Sequence, residues 1–255
     1  MKIAVCGKGG VGKSTVAAAL ALTLAKRGQK VLALDADPDA NLGSALGMPD
    51  KLQSGIVPIS RQTELIEERT GVVEDYGKVF KLNPEVSDVA DKLATEQNGV
   101  HLIVLGAVKT GGGGCACPES TFIRALVNDL ILYKNETLIM DMEAGIEHLG
   151  RATACGVDVM LVVVEPGKRS IDCARTVIRM AGEIGIKRLL FIGNKITSED
   201  DKNYIKSSLP DCEFAAMIPY LTAVRDADRD GVSVIDTANA EFTVQIDSIL
   251  KKITS

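Results

Sequence analysis

The chain has 255 residues, 46% hydrophobic, 25% charged and only 4% aromatic, with no Trp, so wholesale disorder is excluded and the core falls to aliphatic residues. Twenty-nine basic residues against 34 acidic ones give a net charge of −5, which argues against nucleic acid or an anionic membrane as partner.

Six cysteines are too few for a disulfide scaffold, and no apolar run approaches the ~18 residues of a bilayer span. Lys13 followed by Val16–Ala25 mimics a signal peptide, but cleavage there would remove the loop described below, so a cytoplasmic protein is expected. In chain order, strands are predicted at Ile3–Cys6, Lys30–Leu34, His101–Leu105, Thr137–Met140, Val159–Val164, Leu189–Ile192 and Glu213–Met217. Helices are predicted at Ser14–Arg27, Ser120–Leu132, Ser170–Ile184, Glu199–Ser208 and Asn239–Ile253, with helical turns near Arg61–Arg69 and Val86–Glu96 in a polar middle region. Unbroken strand–helix alternation predicts one α/β domain over residues 1–255: a doubly wound, mainly parallel sheet with its ligand chemistry at the C-terminal strand ends.

Gly7-Lys8-Gly9-Gly10-Val11-Gly12-Lys13-Ser14 fits G-x-x-x-x-G-K-[ST] between the first strand and the first helix. Such a loop turns backbone N–H groups onto phosphates at a helix N-terminus. Gly9, Gly10, Val11, Gly12, Lys13, Ser14 and Thr15 are therefore candidate nucleotide-binding residues, with Lys13 on the outer phosphates and Ser14 on Mg²⁺. Asp35-Ala36-Asp37-Pro38-Asp39 ends the second strand, where a carboxylate faces the γ-phosphate and can orient the attacking water. Asp39 reads as a turn cap. Asp141 ends the Thr137–Met140 strand and is expected to contact a Mg²⁺-bound water; the glycine in Ala144-Gly145-Ile146-Glu147 would let the segment move with the γ-phosphate. Ile218-Pro219-Tyr220 is expected to form one wall of a base pocket. Asn194-Lys195-Ile196-Thr197 lacks the Asp of a guanine-reading N-K-x-D signature, so ATP is expected rather than GTP.

Gly111–Gly114 leads into Cys115-Ala116-Cys117-Pro118. Cys115 and Cys117 can address one thiophilic ion, which ordinarily takes four ligands, and a twofold dimer would supply the other two. Incidental loop thiols and a redox couple are the competing readings. Cys6, Cys155 and Cys173 read as buried small hydrophobes, and Cys212 has no assignment.

The loop Lys8-Gly9-Gly10-Val11-Gly12-Lys13-Ser14-Thr15 resembles the deviant phosphate loop of the family containing the nitrogenase iron protein and the septum-site and partition ATPases. The resemblance implies that Lys8 reaches across a nucleotide-sandwich homodimer to the partner's phosphates. It further implies that Asp37 is the catalytic carboxylate supported by Asp35, and that the amide of Asn194 reads adenine. Adding D-x-D-P-D, the Gly-led C-x-C and the run from Asp141 to Leu149, the chain resembles the accessory ATPases of carbon monoxide dehydrogenase (CooC type). This implies ATP hydrolysis by Lys8, Lys13, Asp37 and Asp141, and nickel or zinc held by Cys115 and Cys117 of two copies. The implied client is carbon monoxide dehydrogenase or acetyl-CoA synthase. The rival from the same family is an Fe–S electron-transfer protein or Fe–S scaffold ATPase, but position 148, where the iron protein places its second cluster thiol, is His. A membrane- or DNA-binding positioning ATPase would need a basic tail, whereas Lys251 and Lys252 stand beside Glu241 and Asp247.

Overall fold

Val159–Val164 is a six-residue apolar run rich in β-branched Val, and it forms a strand buried along its whole length, as a sheet covered on both faces requires. The structure, a computed structural model, describes residues 1–71, 80–107, 117–134, 136–143, 156–237 and 240–255. Among them, eight strands form one sheet: β1 Lys2–Cys6, β2 Val31–Asp35, β3 Thr95–Gln97, β4 Val100–Val104, β5 Thr137–Asp141, β6 Val159–Val164, β7 Leu189–Ile196 and β8 Phe214–Pro219. Their spatial order is β3-β4-β2-β5-β1-β6-β7-β8, and every pairing is parallel except β3 with β4. The described helices are α1 Lys13–Lys26, α2 Leu42–Ala45, α3 Asp50–Gln53, α4 Thr63–Thr70, α5 Val89–Leu93, α6 Pro118–Leu132, α7 Lys168–Ile184, α8 Glu199–Ser208, α9 Thr222–Asp230, α10 Val234–Thr237 and α11 Ala240–Thr254.

Alternate residues of β1 serve opposite cores. Ile3 and Val5 join α1 and α11 on one face, while Ala4 and Cys6 join α6 and α7 on the other. The chain leaves β1 toward β2 and leaves β5 toward β6 on the opposite side, so the loops after β1 and β5 part at the sheet's C-terminal edge. A doubly wound sheet opens its binding crevice at that reversal. The register sets Asp141 on β5 directly between Val5 of β1 and Asp35 of β2.

The predicted doubly wound α/β sheet is present, with two local differences. The segment predicted as helical turns over Val86–Glu96 splits into α5 and an antiparallel edge strand, β3. Asn98 (φ 52) and Gly99 (φ 78) both adopt left-handed backbone between Gln97 and Val100, the two-residue hairpin turn in which Asn-Gly is favoured. Strand β7 continues beyond Ile192 to Ile196 through an irregular pairing with β8, so Asn194 and Lys195 lie in the strand rather than beyond it.

Candidate functional site

A cleft of about 600 Å³ opens at the C-terminal edge of the sheet. Gly9, Gly10, Gly12, Lys13, Ser14 and Thr15 line its floor, Asp37 one side, and Asn194, Pro219 and Tyr220 the far end. Lys8, Val11 and Asp141 do not line it.

The loop between β1 and α1 is pinned from behind through its carbonyl groups. Asn194 Nδ2 donates to Val11 O at 2.7 Å, Lys195 Nζ donates to Gly10 O, and Lys8 Nζ donates to Gly9 O at 3.4 Å. Holding these carbonyls on the outside leaves the Gly10 and Gly12 N–H groups to face an anion, while the Val11 N–H donates to Lys8 O at 3.4 Å. The Val11 side chain is buried in the α1-side core, so this residue anchors the loop. Gly12, the residue before α1, has φ +96, and a Cβ there would lie 2.5 Å from Asn194 Nδ2. Only glycine meets both constraints.

Lys13 is buried at the start of α1, with Nζ 3.5 Å from Asp37 Oδ2. Asp35 is wholly buried and accepts backbone N–H bonds from Leu42 at 2.9 Å and Asp37 at 3.2 Å, so it fixes the course of the chain that presents Asp37. Asp39 donates its N–H to Asp37 Oδ1 at 3.0 Å and itself lines the cleft. Burial pushes the Asp35 carboxyl up to about 6, against the pull of its two N–H bonds.

Asp141 is the buried acid at the centre of this group. Burial pushes it up to about 7; the neighbouring Ser14 hydroxyl and Lys13 favour its charged form, while Asp35 and Asp37 oppose it. Ser14 stands close by, yet neither carboxylate oxygen of Asp141 has a partner in hydrogen-bond geometry among the described residues. An orphaned carboxylate beside a hydroxyl is a hard oxygen donor set, and it fits Mg²⁺.

The far end of the cleft contains residues that the sequence alone did not mark: Val224, Arg225 and Asp228 of α9, and Phe242 of α11. Pro219 and Tyr220 line the cleft together with Asn194, whose side-chain N–H donates to Val11 O. Lys195 and Glu165 also escaped notice. Glu165 follows the apolar β6 at the same strand end that drew attention to Asp35 and Asp141, and that position was the available signal.

Cys117 is the residue before α6; its sulfur accepts from Ser120 N at 3.4 Å and donates to Ser120 Oγ at 3.1 Å. Cys115 and the Gly111–Gly114 run lie outside the described residues, as do Ala144 to Glu147, His148 and Cys155. Cys6 is fully buried and its thiol is pushed up to about 12; burial also raises Cys173 and Cys212. Among the described residues, no three His, Cys, Asp or Glu side chains cluster as a metal site, and no helix is long and apolar enough to cross a membrane.

Residues 2–234 match the family described as the CobQ/CobB/MinD/ParA nucleotide binding domain (CbiA). The chain is 42% identical over 240 residues to the carbon monoxide dehydrogenase accessory protein CooC of Rhodospirillum rubrum, covering 94% of this chain and 91% of that one. Its fold is similar to that of the MinC:MinD cell division protein complex of Aquifex aeolicus, with TM-score 0.71 and 23% identity over 100% of this chain and 96% of that one. Similarity to nitrogenase iron protein 2 of Methanothermococcus thermolithotrophicus is 28% over 134 residues, 52% of this chain and 42% of that one.

Proposed function

Because the chain belongs to the CobQ/CobB/MinD/ParA nucleotide-binding family, and within it to the family of the carbon monoxide dehydrogenase accessory protein CooC, we propose that it is an ATP-hydrolysing metallochaperone. Two copies would share a thiophilic ion, nickel or zinc, and assist nickel insertion into carbon monoxide dehydrogenase or acetyl-CoA synthase. The observation that carries this reading is the near full-length kinship with an accessory protein of that enzyme. The kinship with the iron protein covers about half the chain, which favours the metallochaperone over an Fe–S carrier.

In this reading the pinned loop Gly9–Thr15 holds the phosphates, Lys13 neutralises the outer ones, and Asn194, Pro219 and Tyr220 receive the adenine. Mg²⁺ would be held by the Ser14 hydroxyl, with Asp141 behind it, and when bound it supplies charge neutralisation on the β- and γ-oxygens. Asp37 orients the attacking water once phosphate has taken over Lys13. Lys8 reaches the partner's phosphates, so hydrolysis awaits a closed dimer. Cys115 and Cys117 of each copy give the cargo ion four thiolates. Closure would link the γ-phosphate to that ion through the segment from Asp141 to Glu147, provided ATP and ADP make different contacts with the open and closed forms. No partner nucleic acid or membrane is expected, and the protein would act in the cytoplasm.

Adding the chain with ATP and Ni²⁺ to nickel-deficient carbon monoxide dehydrogenase, under anaerobic conditions, is expected to raise its activity beyond that reached with Ni²⁺ alone. Activation that is equal without the chain, or equal with the Lys13→Ala variant, would defeat the proposal.

A further inference from the structure

Glu165 follows directly on β6, and no step above uses it. Its carboxylate is shared by two cations: Oε1 lies 3.5 Å from Lys8 Nζ and Oε2 lies 3.7 Å from Lys195 Nζ. Each lysine also donates to the phosphate loop, Lys8 to Gly9 O and Lys195 to Gly10 O. The acid's backbone is held, its N–H donating to Ser170 Oγ at 3.0 Å and its carbonyl accepting from Gly167 N at 2.7 Å. Lys195 is aimed by the irregular end of β7, where it carries a left-handed backbone at φ 57. Both lysine side chains are partly exposed on unbranched stems; Lys8 is the one that belongs to the phosphate loop itself.

Lys8 cannot pair with its own Glu165 and reach the phosphates of another subunit at the same time. We propose that Glu165 is a positioning residue that stores Lys8 against its own phosphate loop in the isolated subunit, and so sets the nucleotide concentration at which two copies close. This inference rests on the trans role given to Lys8 above. The second lysine gives the arrangement its sense. When Lys8 leaves, Lys195 stays on the acid, so the partly buried carboxylate keeps a counter-ion. An ion pair this exposed is weak, which lets the concentrated charge of a triphosphate on the facing subunit outcompete it. A neutral residue at position 165 would leave Lys8 and Lys195 to repel each other, favouring release.

The experiment compares the wild type, Glu165→Gln, Lys8→Ala and the double variant. It reads nucleotide-free labelling of Lys8 by an amine reagent, and sedimentation across a titration with a non-hydrolysable ATP analogue. Glu165→Gln is expected to label faster at Lys8 and to reach half-dimer at about two- to fivefold lower analogue concentration. The double variant is expected to behave like Lys8→Ala, without nucleotide-promoted dimer. Unchanged labelling and threshold in Glu165→Gln, while Lys8→Ala still blocks closure, overturn the storage role and leave the trans lysine standing. A Glu165→Gln threshold that rises also overturns it, since the acid would then act within the closed dimer. If Lys8→Ala dimerises like the wild type, the trans reading fails and storage fails with it. Glu165→Asp, which keeps the charge but withdraws it by one methylene, moves both readouts the same way and serves if the Gln variant does not fold.

Discussion

Lys13 Nζ lies 3.5 Å from Asp37 Oδ2 in the cleft, so the cation proposed to meet phosphate and the carboxylate proposed to orient water are paired with each other in the free chain. In the proposed function, incoming phosphate would compete for Lys13 and release Asp37. Asp37→Asn is therefore expected to lower the single-turnover hydrolysis rate by ~10²-fold or more, the scale of a lost general base. ATP affinity, read by fluorescent-nucleotide displacement, is expected to change by less than about tenfold, because Lys13 and the loop N–H groups remain. Hydrolysis at the wild-type rate would remove Asp37 from the chemistry.

Asp35 and Asp141, pushed up to about 6 and about 7, fix the sign of a pH effect. Above pH 5 the unfolded chain has already released these protons, since a free Asp titrates near ~3.9, while the folded chain releases them only as the pH passes about 6 and about 7. The folded state binds more protons, so stability falls as pH rises through this window, by about 1.4 kcal/mol for each unit of pKa displacement. Surface carboxylates held low by cationic or hydroxyl partners, Asp88 and Asp201 among them, are ionised in both states here and do not contribute. Urea unfolding without nucleotide or Mg²⁺ is expected to show the decline. Asp141→Asn is expected to flatten it and raise the midpoint at pH 7.5 while weakening Mg²⁺-dependent hydrolysis. A flat profile in the wild type would contradict the buried-acid account.

Gly12→Ala meets two obstacles, a left-handed φ of +96 and a Cβ 2.5 Å from Asn194 Nδ2. The backbone term alone costs about 1–2 kcal/mol. Calorimetry is expected to show a lower Tm and little nucleotide binding. Combining it with Asn194→Ala relieves the clash but not the backbone term, so recovery should be partial. Full recovery in the double variant would mean that the φ requirement is negligible.

Cys117 has a structural duty distinct from any metal, because its sulfur caps the first turn of α6 through Ser120. Cys117→Ser keeps an N-capping group and Cys117→Ala removes it, so the Ala variant is expected to be less stable than the Ser variant by about 1 kcal/mol. Both are expected to lose the shared ion. Metal retention by either, measured by elemental analysis of the dimer, would return Cys117 to a purely structural role.

The strands were legible because β1, β5 and β6 each centre on a short run of consecutive apolar residues, as strands of a sheet covered on both faces do, and the phosphate loop because it sits between one such run and an Ala/Leu helix. Edge strand β3 was misread as helical turns, since Thr95-Glu96-Gln97 has no apolar side to betray it; Asn98-Gly99 was the one signal of the hairpin. Helix α9 hid for a related reason: Thr222–Asp230 is rich in Arg and Asp, and Ala227 is its one buried residue. The pairing of Lys195 with Glu165 could not be read along the chain, although the strand-end position of Glu165 was visible in it. The pairing arises when β7 and β6 bring residues far apart in sequence to the loop after β1. Asp141 was legible by position, but its burial and lack of a partner follow from its register between Val5 and Asp35.

The central claim, that two copies complete one metal site and one ATPase cycle between them, is tested most directly by sedimentation combined with metal analysis. The chain is equilibrated with ADP or a non-hydrolysable ATP analogue, with and without Ni²⁺ or Zn²⁺. A dimer carrying one ion per two chains is expected, the ion being lost when Cys115 and Cys117 are both changed to Ser although nucleotide still binds. One ion bound by each separate chain, or an ion that stays when both thiols are gone, would contradict that claim.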